Sequence, residues 1–382
     1  MKAIRVLSIL VVIVLATVGG QAQFSIAPLN TFGGGDGWLA PGEGGYAYLG
    51  TANNERGLAY GNDHLYLVSR ASVSGSSTNI RILNKLTGAD LGGLNIGSGI
   101  IGGGLFAINT VRVGTDGAIY VGNLTTAAPA NGNFRVYRWA SEASTPTVAY
   151  SGAPLSGARI GDSLDLIGGG SSTLIAAGYH STPSIAGNNS YAIIDPTAST
   201  GTHVSISGTP PNAGDFRLGI TFTDSSHLIG TQGAGSGSTP LRYTSFSGGT
   251  GSLLGSPLLS VSPALRILDY AVIKGIPLLA TQSNGDSGVR IYDSTNPNSP
   301  VLLLSGNNTS GSLTANANGT GQMAWGDITD MGDGIWSAKL WAMSSNQGIQ
   351  AYIVTVPEPS VIGLTAAGGL LFAARAIRRR LS

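Results

Sequence analysis

Short apolar bursts, each introduced by a tight polar turn, recur along this chain at a nearly constant step. They read GNDHLYLVSR (61–70), GTDGAIYVGNL (114–124), GSSTLIAAGY (170–179), DSSHLIGTQ (224–232), KGIPLLATQ (274–282) and GDGIWSAKLW (332–341). Their first apolar residues, Leu65, Ile119, Leu174, Leu228, Leu278 and Ile335, lie 54, 55, 54, 50 and 57 residues apart. A second set keeps the same step: IRILNK (80–85), FRVYRW (134–139), YAIID (191–195), LRYTSF (241–246), VRIYD (289–293) and IQAYIV (349–354). Five of the six alternate apolar and polar residues over at least part of their length, the pattern of a strand with one buried face. Another apolar element follows in five rounds, at LGGLNI (91–96), TVAYSG (147–152), HVSISG (203–208), SLLGSPLL (252–259) and VLLLSG (301–306), and is missing from the sixth.

This recurrence is what a β-propeller blade requires: four strands per blade, turn residues at the hairpins and no long unprotected edge. The expectation is an all-β, six-bladed β-propeller whose sixth blade borrows its outer strand from the N-terminal segment FSIAPLNTF (24–32). The alternative is tandem β-sandwiches split near residue 210, where Thr209-Pro210-Pro211 punctuates the chain. Two sandwiches give no reason for one step to persist on both sides of that point.

The two ends follow other patterns. Lys2 and Arg5, an apolar run from Val6 to Val18, and the small residues Gly20 and Ala22 form a signal peptide with cleavage expected before Gln23. At ~1.5 Å per residue that run spans about 20 Å, short of a hydrocarbon core of about 30 Å. At the other end Val356-Pro357-Glu358-Pro359-Ser360 precedes an apolar run from Val361 to Ala374 and a basic end carrying Arg378, Arg379 and Arg380. The prolines bar helix upstream, and the arginines hold the end of the apolar segment on the cytoplasmic side. The chain therefore divides into 1–22, a folded region 23–355 and a tail 356–382.

Composition acts by exclusion. There is no Cys, so disulfides and thiolate metal sites are ruled out, and the 59 Gly follow no three-residue period, so collagen is too. With 10% charged residues and a net charge of +1, the chain offers no face for nucleic acid.

Candidate chemistry is sparse. His64, His180, His203 and His227 stand at no recognised metal-ligand spacing, and no metal or cofactor is expected. Gly33-Gly34-Gly35 and Gly102-Gly103-Gly104 precede no helix and are poor phosphate cradles. Gly161-Asp162-Ser163-Leu164-Asp165 in the third round is echoed by Gly326-Asp327-Ile328-Thr329-Asp330 in the sixth, and those blades would face one another across a six-membered ring. Residues three apart on a regular strand point to opposite faces, so only Asp162 and Asp327 would meet as channel ligands. Arg56, Arg217 and Arg266, in first-strand regions, would pair with them in a purely structural reading. Trp38, Trp325, Trp336 and Trp341 are candidates for stacking on sugar rings, and equally for packing between blades.

The tail closely resembles the PEP-CTERM sorting signal through Val356, Pro357, Glu358 and Pro359, the apolar segment, and the membrane-stop cluster Arg378, Arg379, Arg380. That resemblance implies recognition by an exosortase in the inner membrane after passage through the Sec translocon and cleavage by signal peptidase. It also implies delivery to the cell surface or extracellular matrix. The middle is similar to a family of exported bacterial propeller-like domains of unknown function. The similarity runs through Asn54-Glu55-Arg56-Gly57-Leu58-Ala59-Tyr60, Thr87-Gly88-Ala89-Asp90-Leu91-Gly92 and the Asp162 segment. The resulting expectation is a non-enzymatic protein with a binding or structural role in exopolysaccharide or biofilm. The alternative is a propeller hydrolase or lyase acting on extracellular glycans or lactones through Asp162 and Asp327.

Overall fold

The computed structural model describes residues 23–358, except 74, 181–186, 188, 210–213, 233–238 and 260–263. The expected signal peptide, Pro359, the apolar tail and Arg378, Arg379 and Arg380 lie outside the described residues. Helical structure among the described residues amounts to three 3-10 turns, Gly33–Gly35, Glu43–Gly45 and Gly170–Ser172. None is long and apolar enough to cross a membrane.

Everything else regular is strand. β1 (Ser25–Pro28) and β2 (Trp38–Leu39) come first. An antiparallel unit follows: β3 (Glu55–Gly61), β4 (His64–Ser69), β5 (Asn79–Asn84) and β6 (Asp90–Gly93). The next is β7 (Phe106–Val113), β8 (Ile119–Leu124), β9 (Phe134–Trp139) and β10 (Thr147–Gly152). β11 (Arg159–Ile167), β12 (Leu174–His180), β13 (Tyr191–Asp195) and β14 (Thr200–Ser207) share one sheet with β15 (Gly219–Asp224), β16 (His227–Thr231), β18 (Arg242–Ser247) and β19 (Thr250–Gly255). Its halves are joined by a parallel β14–β19 pairing that sets Ser205 opposite Thr250. β17 (Thr239–Pro240) and β20 (Leu258–Leu259) make a small side ladder. β21 (Leu265–Ile273), β22 (Ile276–Ser283), β23 (Val289–Asp293) and β24 (Val301–Gly306) form another unit, and β25 (Gly321–Gly332), β26 (Ile335–Ser344) and β27 (Ile349–Pro357) the last.

The arrangement of sheets is propeller-like. Strands β3, β7, β11, β15, β21 and β25 neighbour one another in cyclic order, with β25 returning to β3. β1 lies antiparallel on β27, from Ser25 opposite Thr355 to Pro28 opposite Tyr352, so the segment expected to complete the last unit does pair there. The residues that set the sequence step, Leu65, Ile119, Leu174, Leu228, Leu278 and Ile335, fall within the first three residues of β4, β8, β12, β16, β22 and β26.

The sequence period explains the packing. Both faces of each twisted unit meet a neighbour, so apolar clusters form between units: Leu58, Leu65 and Leu83 meet Trp341, Met343 and Ile349. Tyr66 and Val68 meet Val121 and Trp139, and Leu278 and Ile291 meet Leu340 and Tyr352. Each fully buried Leu or Ile contributes about 1.5–3 kcal/mol. Most of the tryptophans are committed to this packing. Trp341 is fully buried with its indole N–H on the Lys85 carbonyl at 3.0 Å, Trp139 reaches the Asn95 carbonyl at 2.7 Å, and Trp38 reaches that of Gln347 at 2.8 Å.

β27 runs two residues past the boundary drawn from sequence. Val356 is buried opposite Trp336, and Pro357 stands opposite Ile335. The Glu358 N–H then donates to the Gly334 carbonyl at 2.6 Å, and its carboxylate meets Lys274 Nζ at 2.8 Å.

Candidate functional site

The innermost strands are irregular, and this decides where their side chains point. β11 shifts register against β12 between Ile160 and Leu164, at Gly161, whose φ of 102° is open to glycine. A Cβ there would also lie 2.0 Å from the Asn123 carbonyl oxygen. Similar shifts occur in β3 between Glu55 and Gly57, in β7 between Phe106 and Thr110, and in β21 between Leu265 and Ile267. Such a bulge breaks the two-residue alternation. Asp165 reaches β7 and β15, while Asp162 pairs with Arg159 of its own strand and Arg217 just before β15, so the two carboxylates act at different levels.

Asp162 belongs to the level where the inner strands begin. Its Oδ2 accepts from Arg159 Nε at 2.5 Å and Arg217 Nε at 2.9 Å, and its Oδ1 accepts from Arg159 Nη2 at 2.7 Å. Burial pushes its carboxyl up, but the bonds from Arg159 and the charge of Arg217 outweigh it and hold the pKa below the usual range. Arg56, 2% exposed, donates through Nε to Asn109 Oδ1 at 2.8 Å.

Asp327 does not meet Asp162. It accepts from Tyr60 at 2.5 Å, Lys85 at 2.7 Å and Lys339 at 2.8 Å. Burial raises its carboxyl, and those three donors pull it down to about 2. The physical reason is local: β25 shifts register between Gly326 and Thr329, Asp327 takes a left-handed φ of 46°, and its side chain faces β3 and the loop after β5. Of the arginines expected to pair with these carboxylates, Arg217 does so, on Asp162.

A different constellation occupies the far level of the inner ring. Arg112 on β7 donates from Nε to Asp165 Oδ1 at 2.6 Å, from Nη2 to Asp269 Oδ1 at 3.3 Å and from Nη1 to the Met323 carbonyl at 2.6 Å. Asp165 Oδ2 accepts the Phe222 N–H at 2.7 Å, and Asp269 Oδ2 that of Trp325 at 2.8 Å. Burial pushes the Asp269 carboxyl up to about 7, against the pull of Arg112 and with a further push from the Asp165 charge. These groups line a cavity of about 260 Å³ together with Tyr60, Tyr270 and Trp325. The Trp325 indole N–H is buried and has no partner among the described residues.

Sequence reasoning passed over Arg112 and Asp269. A signal existed: Arg112 and Asp165 are one repeat step apart, as are Arg56, Asn109 and Asp162, so polar residues recur at fixed levels of otherwise apolar inner strands. Two of the histidines are each paired with a carboxylate. His64 Nδ1 sits 2.7 Å from Glu142 Oε1, and His227 Nδ1 sits 2.9 Å from Asp224. Among the described residues no group of three or more His, Asp or Glu is placed to hold a metal.

No protein-family model matches the chain and no curated protein sequence does. The likeness of its tail to the PEP-CTERM signal therefore rests on the quoted residues alone. Solved structures do match. A DUF4623 family protein from Bacteroides eggerthii superposes with a TM-score of 0.54 at 16% identity, covering 80% of this chain and 71% of that one. A gluconolactonase from Xanthomonas campestris gives 0.48 at 13% identity, over 88% and 91% of the two chains. An α-L-arabinanase from Penicillium chrysogenum gives 0.47 at 8% identity, over 88% and 98%. At such identities the likeness is one of fold. The expectation of a non-enzymatic chain is corrected all the same, since enzymes stand among the similar structures.

Proposed function

We propose that this chain is a six-bladed propeller that performs acid–base chemistry on a glycan or lactone in the cavity between Arg112, Asp165 and Asp269. The observation that carries the reading is a pair of carboxyls, Asp165 and Asp269, that share one arginine at the cavity wall. Asp269 is pushed up to about 7, where it is able to hold or release a proton near neutral pH. Asp165 is fixed at both oxygens, by Arg112 and by the Phe222 N–H. Glycoside or lactone hydrolysis needs a proton delivered to the leaving oxygen while water adds to the carbon, and a carboxyl poised near the working pH does this best. On a glycoside, Asp269 supplies the proton to the leaving oxygen and, as a carboxylate, then takes one from the water that adds, while the Asp165 carboxylate steadies positive charge developing at the carbon and Arg112 orients both. Tyr60 and Trp325 offer apolar ring faces of the kind that sugars stack on, and the free Trp325 N–H offers a donor. This constellation replaces Asp162 and Asp327 as the acid–base pair, since those two hold separate ion pairs.

The test is turnover by the purified chain across aryl glycosides, oligosaccharides and lactones. Asp269→Asn should lower kcat/KM on any substrate found by about 10²–10⁴-fold, with Asp162→Asn sparing it. Full activity in Asp269→Asn would sink the reading.

Export belongs to the same proposal and is supported by the residues at the two ends: a cleaved signal peptide, Sec passage, and exosortase sorting through the tail to the surface or matrix, where exopolysaccharide would be at hand. Because Val356 and Pro357 belong to β27, the clean truncation removes 359–382 and spares the strand. Surface display and processing unaltered by that truncation would refute the sorting role.

A further inference from the structure

We propose that the arginine-lined end of the inner ring binds a carboxylate or sulfate group. Arg56, Arg159 and Arg217 gather there around one carboxylate, Asp162, and Arg266 stands beside Arg217, on a chain whose net charge is only +1. Asp162 spends both oxygens on Arg159 and Arg217. Nothing comparable neutralises the other two. Arg56 is 2% exposed, and its Nη1 has no acceptor among the described residues; Arg266 Nε is likewise buried and unpaired. Glu55, adjacent to Arg56, feels its charge but gives it no hydrogen bond: its carboxylate accepts the N–H groups of Gly50 at 2.6 Å and Asn346 at 3.3 Å. Arg70 lies 3.4 Å over the centroid of Phe106 and Arg56 lies 5.1 Å from it, so the ring steadies a fifth cation beside the cluster.

The electrostatics agree with the geometry. Burial lowers the Arg56 guanidinium to about 10 despite Asp162, and the charges of Arg70, Arg159 and Arg217 push the same way. Arg266 is lowered by burial and by the Arg217 charge. Buried cations with unfilled donors carry a standing penalty. An incoming oxyanion relieves it, and the planar guanidinium fork matches both carboxylate and sulfate. Such groups are carried by uronates and by sulfated sugars. The site stands apart from the acid–base cavity, which occupies the other level of the inner ring, so either assignment survives the failure of the other.

The test is calorimetric titration of the full chain with trigalacturonate, with sodium sulfate, and with neutral galactotriose. Binding of trigalacturonate or of sulfate, weakening as NaCl rises, supports the site, and the better of the two names the source of the oxyanion. Arg217→Gln and Arg266→Gln, at partly exposed positions, should each weaken it by at least ~10-fold, while Arg138→Gln and Asp269→Asn leave it unchanged. Arg56→Gln is the most direct substitution, but Arg56 is buried, so its loss of binding counts only if its melting temperature matches the wild type. The proposal is overturned if neither anion binds, if galactotriose binds equally well, or if Arg217→Gln and Arg266→Gln bind like the wild type.

Discussion

Where the inner strands begin, one carboxylate, Asp162, is surrounded by arginines; at the far level one arginine, Arg112, stands between two carboxylates. The same bulged strands build both levels, yet the surplus charge has opposite sign. At the first level a carboxyl is held below its ordinary range, and at the second a carboxyl is pushed above it. Burial raises both carboxyls; what separates them is the ratio of partners, since two arginines outweigh burial at Asp162 and one shared arginine does not at Asp269.

The sharpest way to break this contrast is Arg112→Leu. It strands Asp165 and Asp269 without their shared cation and should cost about 3–5 kcal/mol, read as a lower urea midpoint at unchanged slope. Asp162→Asn acts on the opposite surplus. Arg159 and Arg217 are each about one-fifth exposed and water takes over part of the role, so a loss of about 1–3 kcal/mol is expected. Removing either shifted carboxyl, Asp269 or Asp162, should also change how stability depends on pH, with opposite sign. The Asp269 carboxyl is raised on folding, so its contribution is full below the ordinary carboxylate range and is lost as pH rises through about 7. The Asp162 carboxyl is depressed, so its contribution is present above that range and is lost as pH falls through it. Melting temperatures measured across pH should therefore lose their decline near neutrality in Asp269→Asn and part of their acid limb in Asp162→Asn. Identical profiles for the two variants would erase the distinction between the levels. The smallest effect is expected outside both, at Lys339→Ala, where Asp327 keeps Lys85 and Tyr60 and the cost should stay under ~1 kcal/mol.

The repeat was readable because β4, β8, β12, β16, β22 and β26 are held between neighbouring strands and carry short apolar runs, and strands such as β9 and β23 alternate apolar and polar residues over part of their length. The inner strands were the hard part. Bulges at Gly161 and near Gly57 break the alternation, so β3, β7 and β11 announce themselves poorly, and the strands whose side chains carry the charge networks are the ones whose direction a regular pattern gets wrong. Asp327 was misjudged for a related reason: its echo of Asp162 in sequence is real, but its left-handed backbone sends the side chain toward β3. Arg112 and Asp269 looked unremarkable because each is flanked by apolar residues, Val111 and Val113 for one, Leu268 and Tyr270 for the other, and only the closing of the ring brings them together.

That closing has a consequence for the order of events in folding. β1 and β27 are pinned by Ser25 on Thr355 and Pro28 on Tyr352, a contact between opposite ends of the described chain. Contacts so distant in sequence form late, because most of the chain must already be ordered before the loop between them closes cheaply. Until then β27 presents an open edge and the inner ring is free to breathe, so both charge networks reach their working geometry only when the seam is sewn. A peptide with the sequence of β1, added while the chain refolds, would compete for that edge and hold the ring unfinished.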